Sequence, residues 1–234
     1  MTKVRSLALI IPAAGSGERL GKKIPKPYLT IGGKTILEHT LRKFAPLSEL
    51  HEIVIPTSAD YQDLTGRILR ELFPDKVTRV VRGGAERQDS IRNALNTLSD
   101  DVTLVSVHDA VRPFIDTAMI RACIEEADSK GGAIIAVPAK DTIKVSDSSG
   151  RIRSTPDRNT LWQAQTPQIF KASVLKKAYE AALEENVLGT DDASLVERIG
   201  EPVYLIEGSR ENFKITYPLD LRLAEWLLDS GTGN

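Results

Sequence analysis

The sequence predicts an α/β fold: a three-layer, mostly parallel, Rossmann-like sheet in a single domain over residues 1–234, with a β-hairpin arm over residues 139–160. Three observations carry this reading. Short apolar runs recur along the chain, as expected for strands buried on both faces. Segments of helical period separate them, as in repeated strand–helix–strand units. The alternation breaks once, after Pro138, where two polar strands flank a Ser/Gly turn.

The elements follow in order. Leu7 to Ile11 is nearly all apolar and reads as the first strand. Thr35 to Phe44 sets Ile36, Leu37, Leu41 and Phe44 at helical spacing. Glu52–Pro56 is the second strand, 63–73 a helix, and Val77–Val81 the third strand, running into Arg82-Gly83-Gly84. Glu86 to Leu98 is helical, with Ile91, Ala94, Leu95 and Leu98 on one face. Val102–Val107 is the fourth strand, and residues 117–128 a helix carrying Met119, Ile120, Cys123, Ile124 and Ala127 in one stripe. Ala133–Val137 is the fifth strand. Residues 142–146 and 151–155 pair around Asp147-Ser148-Ser149-Gly150. This hairpin carries too little apolar surface for a lobe, so it is either a protruding arm that docks on another subunit or a loose surface hairpin. Residues 173–185 and 191–199 are helices, Val203–Glu207 a strand, Lys214-Ile215-Thr216 a further strand segment, and residues 219–228 an amphipathic helix.

In such sheets ligands sit beyond the carboxyl ends of the strands, and the chemistry-bearing residues fall there. After the first strand the chain turns through Pro12-Ala13-Ala14-Gly15-Ser16-Gly17 and then places Arg19, Lys22, Lys23 and Lys26 within eight residues. Glycines let backbone N–H groups face an anion while the cations neutralise it. The pattern points to a polyphosphate, with a solvated basic loop as the competing reading. It is not a Walker loop, because the frame ending at Gly21-Lys22 begins at Ser16 and continues into Lys23. Nor is it a dinucleotide fingerprint, because Leu20 stands where the third glycine belongs.

A net charge of −1 argues against bulk binding of nucleic acid or membranes, so any anion site is local. The single cysteine, Cys123, rules out a disulfide framework and reads as core. No apolar stretch approaches the ~20 residues of a membrane span, and the basic N-terminus runs into a glycine loop without a signal-type apolar segment. The expectation is a soluble, cytoplasmic chain.

Three further segments stand out. Gly83 to Ser90 spans a strand-to-helix junction, where free N–H groups suit either capping or a ligand. Val107-His108-Asp109-Ala110-Val111-Arg112-Pro113 ends the fourth strand; a carboxylate there can hold Mg²⁺, a sugar hydroxyl or a neighbouring cation, while His108 reads as a buried, hydrogen-bonded ring. Thr190 to Ser194 fits a helix N-terminus, with capping as its explanation. No His/Cys/Asp grouping has zinc spacing.

The run Pro12-Ala13-Ala14-Gly15-x-Gly17-x-Arg19-Leu20-Gly21, with Pro25-Lys26, resembles the signature of the sugar-phosphate nucleotidyltransferases. Within these it is most similar to the 2-C-methyl-D-erythritol 4-phosphate cytidylyltransferase branch, over nearly the whole chain. Departures are Pro27 in place of a usual Gln, Leu20 in place of a frequent Met, and Val111 in place of Ala. The resemblance implies a nucleotidyltransferase-type fold that takes CTP and a polyol phosphate with Mg²⁺, held mainly by the CTP phosphates through ligands that stay unassigned. It implies catalytic roles for Arg19, Lys26 and Lys214, the last from an Asn-x-Lys-x-Thr element at Asn212–Thr216. It places the nucleotide on Pro12, Ala13, Ala14, Gly15, Ser16, Gly17, Gly83, Ser90, Asp109 and Ala110, with Arg87 structural. It assigns the polyol phosphate to Asp109, Arg112, Thr142 and Arg158, the last two reaching a neighbouring subunit across a homodimer interlocked by the arm. Gln165-Thr166-Pro167-Gln168 also matches, as a shaped turn. The rivals are a ribitol-5-phosphate cytidylyltransferase, with the same chemistry on another polyol, and a sugar-nucleotide-binding module without transfer; the missing Asp-x-Asp motif counts against the second.

Overall fold

The computed structural model describes residues 5–15 and 24–231. Its centre is a seven-stranded sheet built around β1 (Leu7–Ile10), whose four side chains are all buried. β1 lies between β4 (Leu50–Thr57) and β6 (Leu104–Val107), parallel to both, and β5 (Val77–Arg82) continues outward from β4. On the other side β6 pairs antiparallel with β10 (Trp162–Lys171), β10 antiparallel with β7 (Gly132–Pro138), and β7 parallel with β11 (Tyr204–Glu207). The order is therefore β5-β4-β1-β6-β10-β7-β11, a mostly parallel sheet with β10 reversed.

Alternation along β1 sends side chains to two separate layers. Leu7, Leu9 and Ile11 meet α1 (Ile36–Arg42), α2 (Gln62–Leu72) and α4 (Thr117–Lys130). Ala8 and Ile10 meet α3 (Arg87–Leu95), α5 (Ala172–Glu184) and α6 (Asp192–Arg198). Cys123 is fully buried on α4, as read from its stripe. A third cluster packs α7 (Pro218–Asp229) through Ala224 and Leu227 onto Leu29, Ile36, Phe114 and Ile215. Among the described residues no helix is long and apolar enough to cross a membrane.

The chain departs from its sequence reading in four places. Gln165 to Gln168 is no turn: it lies inside β10, across a shift in register between Ala164 and Gln168 and a cis Thr166–Pro167 bond. Lys214 sits on no strand but in an irregular segment, whose Ile215 N–H donates to the Val111 carbonyl at 2.9 Å. α3 ends three residues early, because Asn96 is its C-cap. The arm's ladder shrinks to β8 (Val145–Ser146) and β9 (Ile152–Ser154), as expected of a two-stranded ribbon with no face to bury. A two-stranded ribbon of β2 (Thr30–Ile31) and β3 (Lys34–Thr35), turning through Gly32 and Gly33 at positive φ, leads into α1.

Candidate active site

Strand order reverses between β1 and β6: from β1 the chain steps to β4 and β5, then returns to β6 on the other side. The crevice beyond the strands' carboxyl ends lies at such a reversal. Here it is a cavity of 370 Å³, walled by Pro12, Ala13, Ala14 and Gly15 after β1 and by Gly84 to Arg87 and Ser90 after β5. Asp109 to Val111 after β6, and Lys26, Pro27 and Lys214, complete it.

The glycines of the second loop are there for space. A Cβ on Gly83 would stand 2.3 Å from the Ala14 Cβ, and one on Gly84 2.2 Å from the Asp89 Cβ. The two loops therefore touch at Gly83 and Ala14, where the second loop has no room for a side chain. Ser90, 2 % exposed, fastens the turn: its hydroxyl accepts from Gly84 N–H at 2.9 Å and donates to the Glu86 carbonyl at 3.1 Å. Glu86 is the N-cap of α3, and its N–H donates to Asp89 Oδ2 at 3.2 Å.

Lys26 belongs to a one-turn 3-10 helix, Lys26–Tyr28. The turn is anchored by the Tyr28 ring, which stacks on Tyr61 at 4.2 Å, and by its hydroxyl, 2.5 Å from Thr57 Oγ1 and 2.9 Å from Thr65 Oγ1. Lys26 itself is 8 % exposed and sends Nζ across to the Thr216 carbonyl at 3.1 Å. Lys214 stands two residues before that carbonyl, so two lysines distant in sequence border one space.

Beneath them Asp109 gathers cations. Its carboxylate lies 3.1 Å from Lys214 Nζ, 3.1 Å from Arg112 Nε and 3.6 Å from Arg87 Nε. Burial alone would raise the Asp109 carboxyl, but Lys214, Arg87 and Arg112 outweigh it and hold the group well below the usual carboxylate range. Arg87 is shared with fully buried Asp192, whose Oδ2 accepts from its NH2 at 2.8 Å. Burial would lower the guanidinium, yet Asp192 and Asp109 push it above its ordinary value. His108 is fully buried, as its sequence position implies. The Arg112 carbonyl, 3.1 Å from Nε2, can only accept, so Nε2 carries the proton. Nδ1 then accepts from the Thr166 hydroxyl at 3.1 Å, and that oxygen accepts the Asp109 N–H at 2.9 Å. Burial lowers the His108 pKa to about 4.

Of the residues singled out in the sequence, Pro12, Ala13, Ala14, Gly15, Lys26, Ser90, Asp109, Ala110 and Lys214 converge on this cavity. Gly83 supports it from behind, through Ala14. Arg112 opens onto an adjoining space of 330 Å³ that shares Arg87, Asp109 and Lys214 with the first. Thr142 and Arg158 are exposed on the arm and border neither space, Arg158 donating to the Lys140 carbonyl at 3.1 Å. Ser16, Gly17 and Arg19 lie outside the described residues. Sequence reasoning assigned Arg87 to structure alone; it holds structure through Asp192 and also lines the cavity. It passed over Thr166 and Asp192 as ligand supports, since neither carries a signal before β10 and α6 are folded together. Asp191 does what capping predicts, accepting from Ser194 N–H at 2.9 Å.

Among the described residues no group of three or more His, Cys, Asp or Glu side chains could hold a metal ion. Asp109 faces cations already, so the described residues offer no cage here. The cavity instead carries Lys26, Arg87 and Lys214 against Asp109 and the helix-capping Glu86. It suits an anionic ligand with several phosphates, whose growing charge these groups can follow.

Comparison with known proteins agrees with this chemistry. The family model described as "IspD: 2-C-methyl-D-erythritol 4-phosphate cytidylyltransferase" matches residues 7–230. The 2-C-methyl-D-erythritol 4-phosphate cytidylyltransferase of Geotalea uraniireducens is 45% identical over 224 residues, covering 94% of this chain and 96% of its own. The protein of the same name from Symbiobacterium thermophilum is 44% identical over 223 residues, with 95% and 93% covered. A crystal structure of 4-diphosphocytidyl-2C-methyl-D-erythritol synthase from Anaerococcus prevotii superposes with a TM-score of 0.87 at 31% identity, covering 96% of each chain.

Proposed function

The chain belongs to the 2-C-methyl-D-erythritol 4-phosphate cytidylyltransferase family, and on that premise we propose how its site performs the transfer. The enzyme joins CTP to 2-C-methyl-D-erythritol 4-phosphate, forming 4-diphosphocytidyl-2-C-methyl-D-erythritol and pyrophosphate in isoprenoid synthesis. A phosphate oxygen of the polyol attacks the α-phosphorus of CTP in line; a P–O bond forms, the bond to the β-phosphate bridging oxygen breaks, and pyrophosphate leaves. The nucleophile is already an anion, so no general base is required. The barrier lies in anion–anion repulsion and in charge growing on the leaving group, which positioned cations answer.

Lys26 and Lys214, which both line the cavity, take that role, together with Arg19. The observation that carries the reading is their approach to one space: Lys26 reaches the Thr216 carbonyl, and Lys214 meets Asp109 on the cavity floor. The loop at Pro12 to Gly17 takes the phosphates, and the Gly83–Ser90 loop takes the base. Asp109 and Arg112 face the polyol phosphate, with Thr142 and Arg158 arriving from the partner subunit of a homodimer. Mg²⁺ carried on the CTP phosphates would neutralise part of their charge; the described side chains do not fit a protein cage for it. A cytoplasmic location belongs to the same proposal.

Pyrophosphate release tests the reading. CTP with methylerythritol 4-phosphate should give rapid release, and CTP with ribitol 5-phosphate little. Preference for ribitol phosphate, or CTP binding with no release for either, would overturn it.

A further inference from the structure

Asn212 is fully buried and lies two residues before Lys214. Its side-chain amide donates twice into the irregular middle of β10, to Gln165 Oε1 at 3.0 Å and to the Thr166 carbonyl at 2.9 Å. Its backbone carbonyl accepts from Arg112 Nη1 at 2.8 Å. Gln165 answers with Nε2 to the Ser209 carbonyl at 2.9 Å, closing a ring of bonds between β10 and the segment after β11. Gly208 completes the fit, since a Cβ there would stand 2.8 Å from Gln165 Oε1. Lys214 and Arg112 are the two cations 3.1 Å from Asp109 Oδ2, and Lys214 stands on the segment that the Asn212 amide ties to β10.

We propose that Asn212 is a positioning residue: its amide ties down the segment that carries Lys214 and so sets that cation on Asp109, against the phosphates. Lys214 follows Asn212 in a segment outside the sheet ladder. Without the amide bonds that segment loses its two ties to β10 and keeps Asn212 N–H to the Ser209 carbonyl at 3.2 Å, the Thr216 hydroxyl to the Lys214 carbonyl at 3.1 Å and Ile215 N–H to the Val111 carbonyl at 2.9 Å. Only an amide at this position can give two N–H donors to two oxygens in so small a space. An aspartate there would turn acceptors on acceptors. The inference rests on the catalytic role given above to Lys214.

The test is a double-mutant cycle on the full chain, reading pyrophosphate release from CTP and methylerythritol 4-phosphate. Lys214→Ala alone must lower kcat/KM; if it does not, the role of Lys214 fails and the cycle says so independently. Asn212→Ala should lower kcat/KM by about tenfold to a hundredfold, the scale of a misplaced charge. In the Lys214→Ala background Asn212→Ala should cost no more than about twofold, since residues acting through one another do not add. A second readout is the labelling rate of individual lysines with an amine-acylating reagent, resolved by peptide mass spectrometry. Asn212→Ala should speed labelling of Lys214 and leave Lys26 unchanged. Gln165→Ala, which removes the acceptor side of the same ring, should reproduce both effects and serves if Asn212→Ala does not fold. Costs that add in full, or an unchanged Lys214 labelling rate in the folded variant, would overturn the proposal.

Discussion

At the scale of single residues the site depends on burying charge beside charge. Lys26 is held by a tyrosine-anchored turn rather than by a strand, so its removal deletes a cation without breaking the sheet. Lys26→Ala should therefore lower kcat by about a hundredfold or more, while the thermal midpoint without ligand stays within a few degrees. A scan of both quantities on one preparation decides it; unchanged turnover would remove Lys26 from the mechanism. His108 makes a different prediction. Its folded pKa of about 4 lies below the ordinary 6.5, so the unfolded chain binds more protons between those values. Stability is then full above pH 6.5 and falls as the pH drops toward 4, by up to about 3 kcal/mol. Half-buried His39 is lowered too, chiefly by burial, and contributes in the same direction. The share of His108 is the difference between variants: the loss of denaturant stability from pH 7.5 to 5 should shrink in His108→Gln, whose amide can still donate to the Arg112 carbonyl. An equal loss in both proteins would mean that His108 does not titrate on unfolding.

At the scale of elements, loops that touch constrain one another. Gly83→Ala would drive a methyl into Ala14 at 2.3 Å, so the loops after β5 and β1 must part. Overpacking of this kind costs about 1–3 kcal/mol, and here it widens the nucleotide-facing wall. The expected result is a KM for CTP raised about tenfold with a smaller change in kcat; a wild-type KM would show that the loops yield without reshaping the cavity. This pair of loops was legible in the sequence because glycine after a buried strand has few other uses. So were β1 and β7, whose runs hold no polar side chain, and β4 and β6, whose apolar runs are interrupted only by His51 and Glu52 and by Ser106. β10 was not. Its middle, Gln165 to Gln168, spends polar side chains on buried partners: Gln168 bonds Asp191 at 2.8 Å and accepts from Ala193 N–H at 2.9 Å. A buried strand built from glutamine and threonine looks like a turn until its partners are known. Lys214 was legible only by resemblance, since an irregular segment has no period to read.

At the scale of the whole molecule the open question is what the arm is for. Within one chain Thr142 and Arg158 stay on the surface, away from both cavities, and the arm exposes Ile143 at 39 %, Val145 at 46 % and Ile152 at 58 %. A two-stranded ribbon is marginal in water by itself, and bare β-branched residues along it fit a surface that another chain covers. If a homodimer brings each arm to its partner's site, charge placed on those apolar positions should separate the chains. Ile143→Asp combined with Ile152→Asp should give a monomer in sedimentation velocity at micromolar concentration. The monomer keeps its own Lys26, Asp109 and Lys214, so CTP binding should persist by calorimetry. The polyol phosphate should lose its arm contacts, so its KM should rise by at least about tenfold, as expected for lost charge-assisted hydrogen bonds. Arg158→Ala should raise the same KM while leaving the dimer intact, which separates contact from assembly. A variant that is monomeric yet fully active would make the arm a surface feature and confine the polyol phosphate to Asp109 and Arg112 of one chain.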